Sequence, residues 1–210
     1  MEIINENILK MMVNDCADNH VALIAPETVS CLEQLIERGN CRRILEIGTG
    51  LGYSTLILAQ ATAKLKGSVV TIERMPERAK RAQKYFTLSG MNNIRSYTGD
   101  AQDVLPYLND SFDFIFMDAA MGQYLDFFQL LFPKLIPGGF LVGDNVLIED
   151  LVFRDRYQIP RRRRTMQQRL RDFLNLVMEH PELTTRLFSF GDGLVVCQRR
   201  HLLNDGVNIK

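Results

Sequence analysis

The chain is predicted to be a doubly wound α/β protein, on three observations: apolar runs of strand length alternate with amphipathic stretches, a glycine-rich turn follows the first run, and a carboxylate ends the second. The first run spans 44–47 and leads into Gly48-Thr49-Gly50-Leu51-Gly52-Tyr53-Ser54. Three glycines at every second position let the backbone pass close beneath a ligand. The second run, 68–72, ends on Glu73, about where a nucleotide-binding βαβ unit sets a carboxylate against ribose hydroxyls. These features mark a nucleoside-cofactor site.

The other elements follow in chain order. Residues 3–13 carry Ile3, Ile4, Ile8, Met11 and Met12 at a spacing that predicts an amphipathic helix lying on the domain or on a second subunit. Pro26 suits the first turn of a helix through Arg38, with Val29, Leu32, Leu35 and Ile36 on one face and Gly39 as its stop. A crossover helix is expected over 53–63. Pro76 opens a helix ending at Gly90, 94–97 makes a third strand, and Gly99-Asp100-Ala101 turns into a short helix. The fourth strand is expected at 113–117. A helix over 123–135, closed by Pro137-Gly138-Gly139, precedes a strand at 140–142 that runs into Gly143-Asp144-Asn145. Near the end, 184–190 and 194–198 flank Gly191-Asp192-Gly193, a hairpin signal, so one antiparallel strand joins a mostly parallel sheet with helices on both faces. Residues 1–210 form a single domain, in which 1–40 is a helical addition and 41–200 a Rossmann-like core.

Composition narrows the function. Hydrophobic content of 46% and charged content of 24% are those of a soluble globular protein. No run of about 18 apolar residues exists to span a bilayer, and Met1-Glu2-Ile3 does not open a signal peptide, so a cytoplasmic protein without membrane contact is expected. Cys16, Cys31, Cys41 and Cys197 are scattered, with no C-x-x-C and no histidine at zinc-ligand spacing, which predicts buried free thiols. The 25 basic and 25 acidic residues balance, which argues against a protein that coats nucleic acid with its whole surface. Arginines 154, 156, 161, 162, 163, 164, 169 and 171 nevertheless cluster against one acid, Asp155. Such a stripe points to one anionic partner met at one place.

Spacing separates the nucleoside cofactors. A dinucleotide site wants G-x-G-x-x-G with the pyrophosphate on the helix N-terminus, whereas this chain has G-x-G-x-G. Glu46, two residues before the first glycine, would repel a pyrophosphate but attract the ammonium of an amino-acid-bearing nucleoside. The combination resembles motif I of the class I S-adenosylmethionine-dependent methyltransferases. Such a turn alone also fits an unrelated α/β protein, and Glu73 counts against that. Farther on, Asp118 follows the fourth strand, and Asp144 with Asn145 follows the fifth. Ligands of doubly wound sheets collect at the carboxyl ends of the strands, so three oxygen donors converge there, the donor type that a hard cation such as Mg²⁺ takes. The same side chains would also serve as helix or turn caps, a role that does not require one end of adjacent strands.

Glu46 through Ser54, Glu73, Gly99-Asp100-Ala101, Asp118-Ala119-Ala120 and Asp144-Asn145, in this order and spacing, resemble the cation-dependent O-methyltransferases of the catechol and caffeoyl-coenzyme A type, over about residues 20–198. The resemblance implies a seven-stranded sheet with a late reversal, S-adenosylmethionine as methyl donor, and Mg²⁺ or a similar cation. It implies Ile24, Glu46, Gly48 and Ser54 around the methionine part, Glu73 on the ribose hydroxyls, and Asp100 with Ala101 along the adenine. Asp118 would touch both cofactor and metal, with Asp144 and Asn145 completing the protein ligands and catalysis running through the metal. The catechol-type enzymes add a lysine general base three residues after the first metal aspartate. Here that position is Met121, so either the substrate hydroxyl is acidic enough for the metal alone or another group takes the proton. Gln123 and Tyr124 stand near in sequence.

Pro160-Arg161-Arg162-Arg163-Arg164-Thr165 leads into a helix whose Met166, Leu170, Phe173, Leu174 and Val177 face the domain, leaving guanidinium groups for phosphates. A solvated helix face with internal ion pairs is the competing interpretation. With His180-Pro181 and Gly191-Asp192-Gly193, this stretch resembles the bacterial tRNA 5-hydroxyuridine methyltransferases, which make 5-methoxyuridine at the wobble base. The resemblance implies the tRNA anticodon loop as partner and Arg161, Arg162, Arg163 and Arg164 as its contacts. It fits the chemistry, because the 5-hydroxyl and 4-carbonyl oxygens are neighbours able to chelate a metal, and an unpaired base can be splayed into a pocket. A small-molecule catechol or flavonoid-type O-methyltransferase is the alternative, and a non-catalytic RNA-binding module a second one. His20, His180 and His201 lie outside the strand-end cluster, and Phe153 and Tyr157 would stack on a base or pack against the domain. The apolar N-terminal segment and the resemblance make a homodimer the expected assembly.

Overall fold

A computed structural model describes residues 4–201. Its strands are β1 (Arg43–Ile47), β2 (Ser68–Glu73), β3 (Ile94–Thr98), β4 (Phe112–Met117), β5 (Leu135–Gly143), β6 (Leu183–Phe188) and β7 (Leu194–Arg199). They form one seven-stranded sheet in the order β3-β2-β1-β4-β5-β7-β6. Pairing is parallel from β3 through β5, and β7 runs antiparallel to both β5 and β6. The single reversed strand is thus the one the hairpin signal predicts, its turn closed by the Gly193 N–H donating to Phe190 O at 3.0 Å.

The helices are α1 (Glu6–Asp18), α2 (Pro26–Arg38), α3 (Tyr53–Ala63), α4 (Pro76–Ser89), α5 (Ala101–Val104), α6 (Tyr124–Leu131) and α7 (Arg161–Glu179). Side chains alternate between the two sheet faces, so each central strand feeds two cores. Leu45, Ile47, Ile115 and Met117 pack with Phe127, Phe128, Leu170 and Phe173 of α6 and α7. Ile44, Phe114 and Phe116 pack on the opposite side with Leu32 and Ile36 of α2 and Leu58 of α3. Phe114 and Phe116 are fully buried, and truncating either to Ala removes packing worth about 3–5 kcal/mol.

Three expectations shift. The N-terminal helix begins at Glu6 and runs to Asp18, capped by the Asn5 side chain. Ile4 and Met12 are buried against Leu56, Ala82, Tyr85 and Phe86 of the same chain, whereas Met11 is exposed and Ile3 lies outside the described residues. The helix expected over 123–135 ends at Leu131, and a 3-10 turn at Phe132–Lys134 feeds β5 directly. Pro137, Gly138 and Gly139 therefore sit inside β5, where pairing with β4 shifts register between Phe112 and Phe114. The irregularity tolerates a proline that regular pairing would exclude. No helix among the described residues is long and apolar enough to cross a membrane. Cys16, Cys41 and Cys197 are buried free thiols, and Cys31 is half-buried.

Candidate active site

The glycine turn and the end of β4 interlock. The Asp118 N–H donates to Ile47 O at 2.9 Å, and Gly48 N–H donates to Ile72 O at 3.0 Å, so the ends of β1, β2 and β4 are tied together. Gly48 has φ +100°, and a Cβ there would lie 2.0 Å from the Asp118 carbonyl oxygen. Only glycine fits. Gly52, at φ +93°, starts α3 with its open side against the Phe86 ring.

Above this turn lies a cavity of about 330 Å³. Its wall includes Ile24, Gly48, Ser54, Glu73, Asp100, Ala101 and Asp118 of the predicted cofactor residues. Glu46 is the exception. It is fully buried beneath the wall, accepting hydrogen bonds from Ser54 Oγ at 2.6 Å, from Thr71 Oγ1 at 2.6 Å and from Thr55 Oγ1. Thr49 extends this chain, its hydroxyl 2.5 Å from that of Thr71. Burial pushes the Glu46 carboxyl up, the three hydroxyls oppose this, and the Glu73 charge adds to it. Glu46 thus meets the cavity through Ser54.

Glu73 is buried and held from both sides, Oε2 accepting from Gly50 N–H at 2.8 Å and Oε1 from Met75 N–H at 2.9 Å. Each carboxylate oxygen keeps a lone pair for a ligand hydroxyl. Asp100 Oδ1 accepts from Gln102 N–H at 2.9 Å, capping α5 and fixing the adjoining wall. Cys16, Arg74, Arg78 and Phe127 also line the cavity and were not anticipated, and Gln123, noted for its nearness in sequence, lines it too. Arg74 and Arg78 had a signal, since one follows Glu73 at a strand end and the other lies in the first turn of the helix that Pro76 opens; Cys16 arrives through the docking of α1 on α4, which pattern does not reveal.

Asp118 and Asp144 end adjacent parallel strands, with Asp144 N–H donating to Met117 O at 3.0 Å. Burial, then the charges of Asp144 and Glu46, push the Asp118 carboxyl up to about 7. Burial and the Asp192 charge push Asp144 up to about 6, against a lowering bond from Asn145 N–H at 2.8 Å. Among the described residues neither carboxylate has an ion-pair partner, and Asn145 follows at φ +57°. Two crowded carboxylates and a neighbouring amide fit a hard divalent cation, which would neutralise them and draw its remaining ligands from substrate or water. Among the described residues no cluster of three or more histidine, cysteine or acidic side chains is placed to hold a metal, here or elsewhere, so a third protein donor at this site would have to be the Asn145 amide. Asp144 and Asn145 stand outside the lining of the large cavity.

Tyr124 is fully buried, with its hydroxyl bonded to backbone, which removes it as a base; Gln123 lines the cavity, and Met121 is partly buried. The arginine helix α7 packs on the 3-10 turn Met121–Gln123 that follows Asp118, with Arg169 Nη1 donating to Gly122 O and to Asp126, each at 3.1 Å. The four consecutive arginines divide. Arg163 pairs with Glu149 at 2.6 Å, and Arg164 Nε donates to Ile159 O at 3.0 Å, so these two are engaged within the chain. Arg161 and Arg162 are exposed and have no hydrogen-bond or ion-pair partner among the described residues.

Against known proteins, the sequence pattern of the family described as O-methyltransferase matches residues 2–200. The chain belongs to the O-methyltransferase family. A catechol O-methyltransferase of Niastella koreensis is 34% identical to this O-methyltransferase over 142 residues, which are 65% of this chain and 64% of the relative. The crystal structure of an O-methyltransferase from Bacillus cereus in complex with SAH shares 26% identity and a TM-score of 0.82, covering 94% of this chain and 93% of that one. That of the O-methyltransferase TomG from Streptomyces achromogenes, at 24% identity and a TM-score of 0.83 over 95% and 92% of the two chains, shows the same fold.

Proposed function

We propose that this O-methyltransferase uses S-adenosylmethionine and a divalent cation such as Mg²⁺ to methylate the 5-hydroxyl of 5-hydroxyuridine at the tRNA wobble position. The observation that carries the acceptor is the docking of α7: its basic first turn is tied by Arg163 to Glu149 in the loop after Asn145, and its Arg169 to Gly122 in the turn after Asp118. Two unengaged arginines, Arg161 and Arg162, therefore flank the segments that carry the candidate metal carboxylates. A polyanion held there would bring an unpaired base to them.

The chain's own residues perform the remaining tasks. Ser54, aimed by Glu46, faces the methionine end, and Glu73, fixed by two N–H groups, takes the ribose hydroxyls. Asp118 and Asp144, with Asn145, would hold the cation, which when bound fixes two neighbouring acceptor oxygens and acidifies the hydroxyl. Methyl transfer from a sulfonium is an in-line displacement, and the strand-end ties that fix the Asp118 backbone would help keep donor and acceptor aligned for it. With Met121 in place of a lysine, an acidic enol-type hydroxyl suits the site better than a simple phenol. The catechol enzyme of Niastella koreensis favours a second reading, a small-molecule catechol as acceptor. Inactivating the gene in its host and examining tRNA nucleosides by mass spectrometry decides between them. Loss of 5-methoxyuridine with accumulation of 5-hydroxyuridine is expected, and undiminished 5-methoxyuridine would sink the tRNA assignment.

A further inference from the structure

The segment between Asn145 and α7 exposes two aromatic rings while its backbone is pinned. Phe153 is 69% exposed and Tyr157 84% exposed, among the largest exposures of any apolar side chain described. Unpaired aromatics on a wandering loop would mean little, but this loop is held from beneath. Arg171 donates from Nε to Val152 O at 2.7 Å and from Nη2 to Arg154 O at 2.7 Å, so one guanidinium bridges the carbonyls on both sides of Phe153. Gln167, a buried amide on α7, donates to Leu151 O at 2.9 Å and to Arg154 O at 2.8 Å.

Tyr157 is presented in the same way. Its N–H donates to Asp155 Oδ1 at 2.8 Å in a tight turn, and the Arg164 guanidinium lies 5.8 Å from its ring centroid while Nε fixes Ile159 O. Leu151, Val152 and Ile159 supply the buried anchors. Side chains of α7 thus hold from beneath a loop that turns two aromatic rings outward. Arg154 and Arg156 are exposed beside them, and Arg161 and Arg162 follow. Rigid aromatic faces set among cations are complementary to unpaired nucleobases joined by phosphates, because every base offers a π-face and the backbone between bases is anionic. A preformed platform also saves the ordering cost that a loose loop would incur on binding.

We propose that Phe153 and Tyr157 form a stacking platform for unpaired bases of the RNA that delivers the acceptor nucleotide, with Gln167 and Arg171 as the residues that position it. The proposal rests on the tRNA reading above and adds the residues that grip the loop bases. Its test uses the full-length protein and an anticodon stem-loop RNA carrying 5-hydroxyuridine, with binding followed by fluorescence anisotropy across a range of salt. Replacing both rings, Phe153→Leu with Tyr157→Leu, raises Kd at least about tenfold while leaving the slope of log Kd against log salt unchanged, since stacking releases no counterions. Tyr157→Phe, which keeps the ring, binds as wild type does. Melting temperature and S-adenosylmethionine affinity serve as folding controls. If wild type binds and methylates the stem-loop but the double leucine variant binds it equally well, the platform is wrong and the tRNA reading stands. If wild type binds no RNA, both fall.

Discussion

The Tyr124 hydroxyl lies 2.9 Å from Met117 O and 3.0 Å from Asp144 O, so a single phenol proton bridges the ends of β4 and β5 immediately behind the two candidate metal carboxylates. Burial and the charges of Asp118 and Asp144 raise the phenol well above its ordinary range, which keeps that proton in place. Tyr124→Phe retains the edge-to-face contact with Phe173, at 5.5 Å between centroids, and loses only the bridge. It should cost about 1–3 kcal/mol in urea unfolding and weaken Mn²⁺ binding measured by electron paramagnetic resonance. Unchanged Mn²⁺ affinity would mean that the strand ends hold their spacing without it.

Gly48→Ala drives a methyl group into the Asp118 carbonyl at a backbone angle that alanine tolerates poorly. Strain alone costs about 1–3 kcal/mol, and the shift of Asp118 adds to it. Calorimetry should show S-adenosylmethionine affinity falling at least about tenfold, more than for Gly50→Ala, where a Cβ meets only Val21 at 3.4 Å.

Glu46 makes stability depend on pH. An acid whose folded pKa is raised contributes stability that is complete below its unfolded value and is lost as pH rises through the folded value. Glu46→Gln removes that dependence. As pH climbs above 4.5, the stability of the wild type should therefore decline relative to the glutamine variant, whatever fixed cost the amide carries. Urea midpoints at pH 5 and pH 8 give the comparison, and parallel pH profiles would show that Glu46 is ionised at no cost.

Replacing Arg161 and Arg162 together by Ala should weaken anticodon stem-loop binding and reduce the salt slope by about one to two, because a phosphate that no guanidinium neutralises keeps its counterion. Arg163→Ala also releases Glu149 from its ion pair, so its effect mixes loop position with charge. An undiminished slope in the Arg161 and Arg162 double variant would leave those guanidinium groups without an RNA role.

Met121→Lys restores the general base of the catechol-type enzymes on a side chain that is only partly buried, so the lysine stem can follow the methionine path. Its benefit should be larger for the less acidic acceptor. The ratio of kcat/KM for catechol over 5-hydroxyuridine is expected to rise, and an unchanged ratio would remove acidity as the reason for the missing lysine.

The alternation of strands and helices and the late antiparallel hairpin were legible because periodicity and turn glycines report backbone geometry directly, whereas the residues of the cavity wall came from the resemblance and the strand order only from the structure. Four matters were not legible. The Pro137-Gly138-Gly139 run has the composition of a helix stop and instead lies within β5, since a register shift beside β4 is a tertiary event. Glu46 has the pattern of a ligand-facing acid, yet Ser54, Thr55 and Thr71 surround it from two other elements. Arg163 and Arg164 lack acids nearby in sequence, but Glu149 and the Ile159 carbonyl reach them through space. Gln167 carries no signal at all: an amide on an arginine-rich helix reads as solvated until the loop it holds is seen.

The neutrality of the whole chain hides a separation of charge. Because residues 154–171 hold eight arginines and one aspartate while the total is zero, the remainder of the protein carries an equal excess of acid. For the polyanion of the proposed function, that imbalance would favour approach by the arginine stretch over approach elsewhere, an effect that fades as salt screens it.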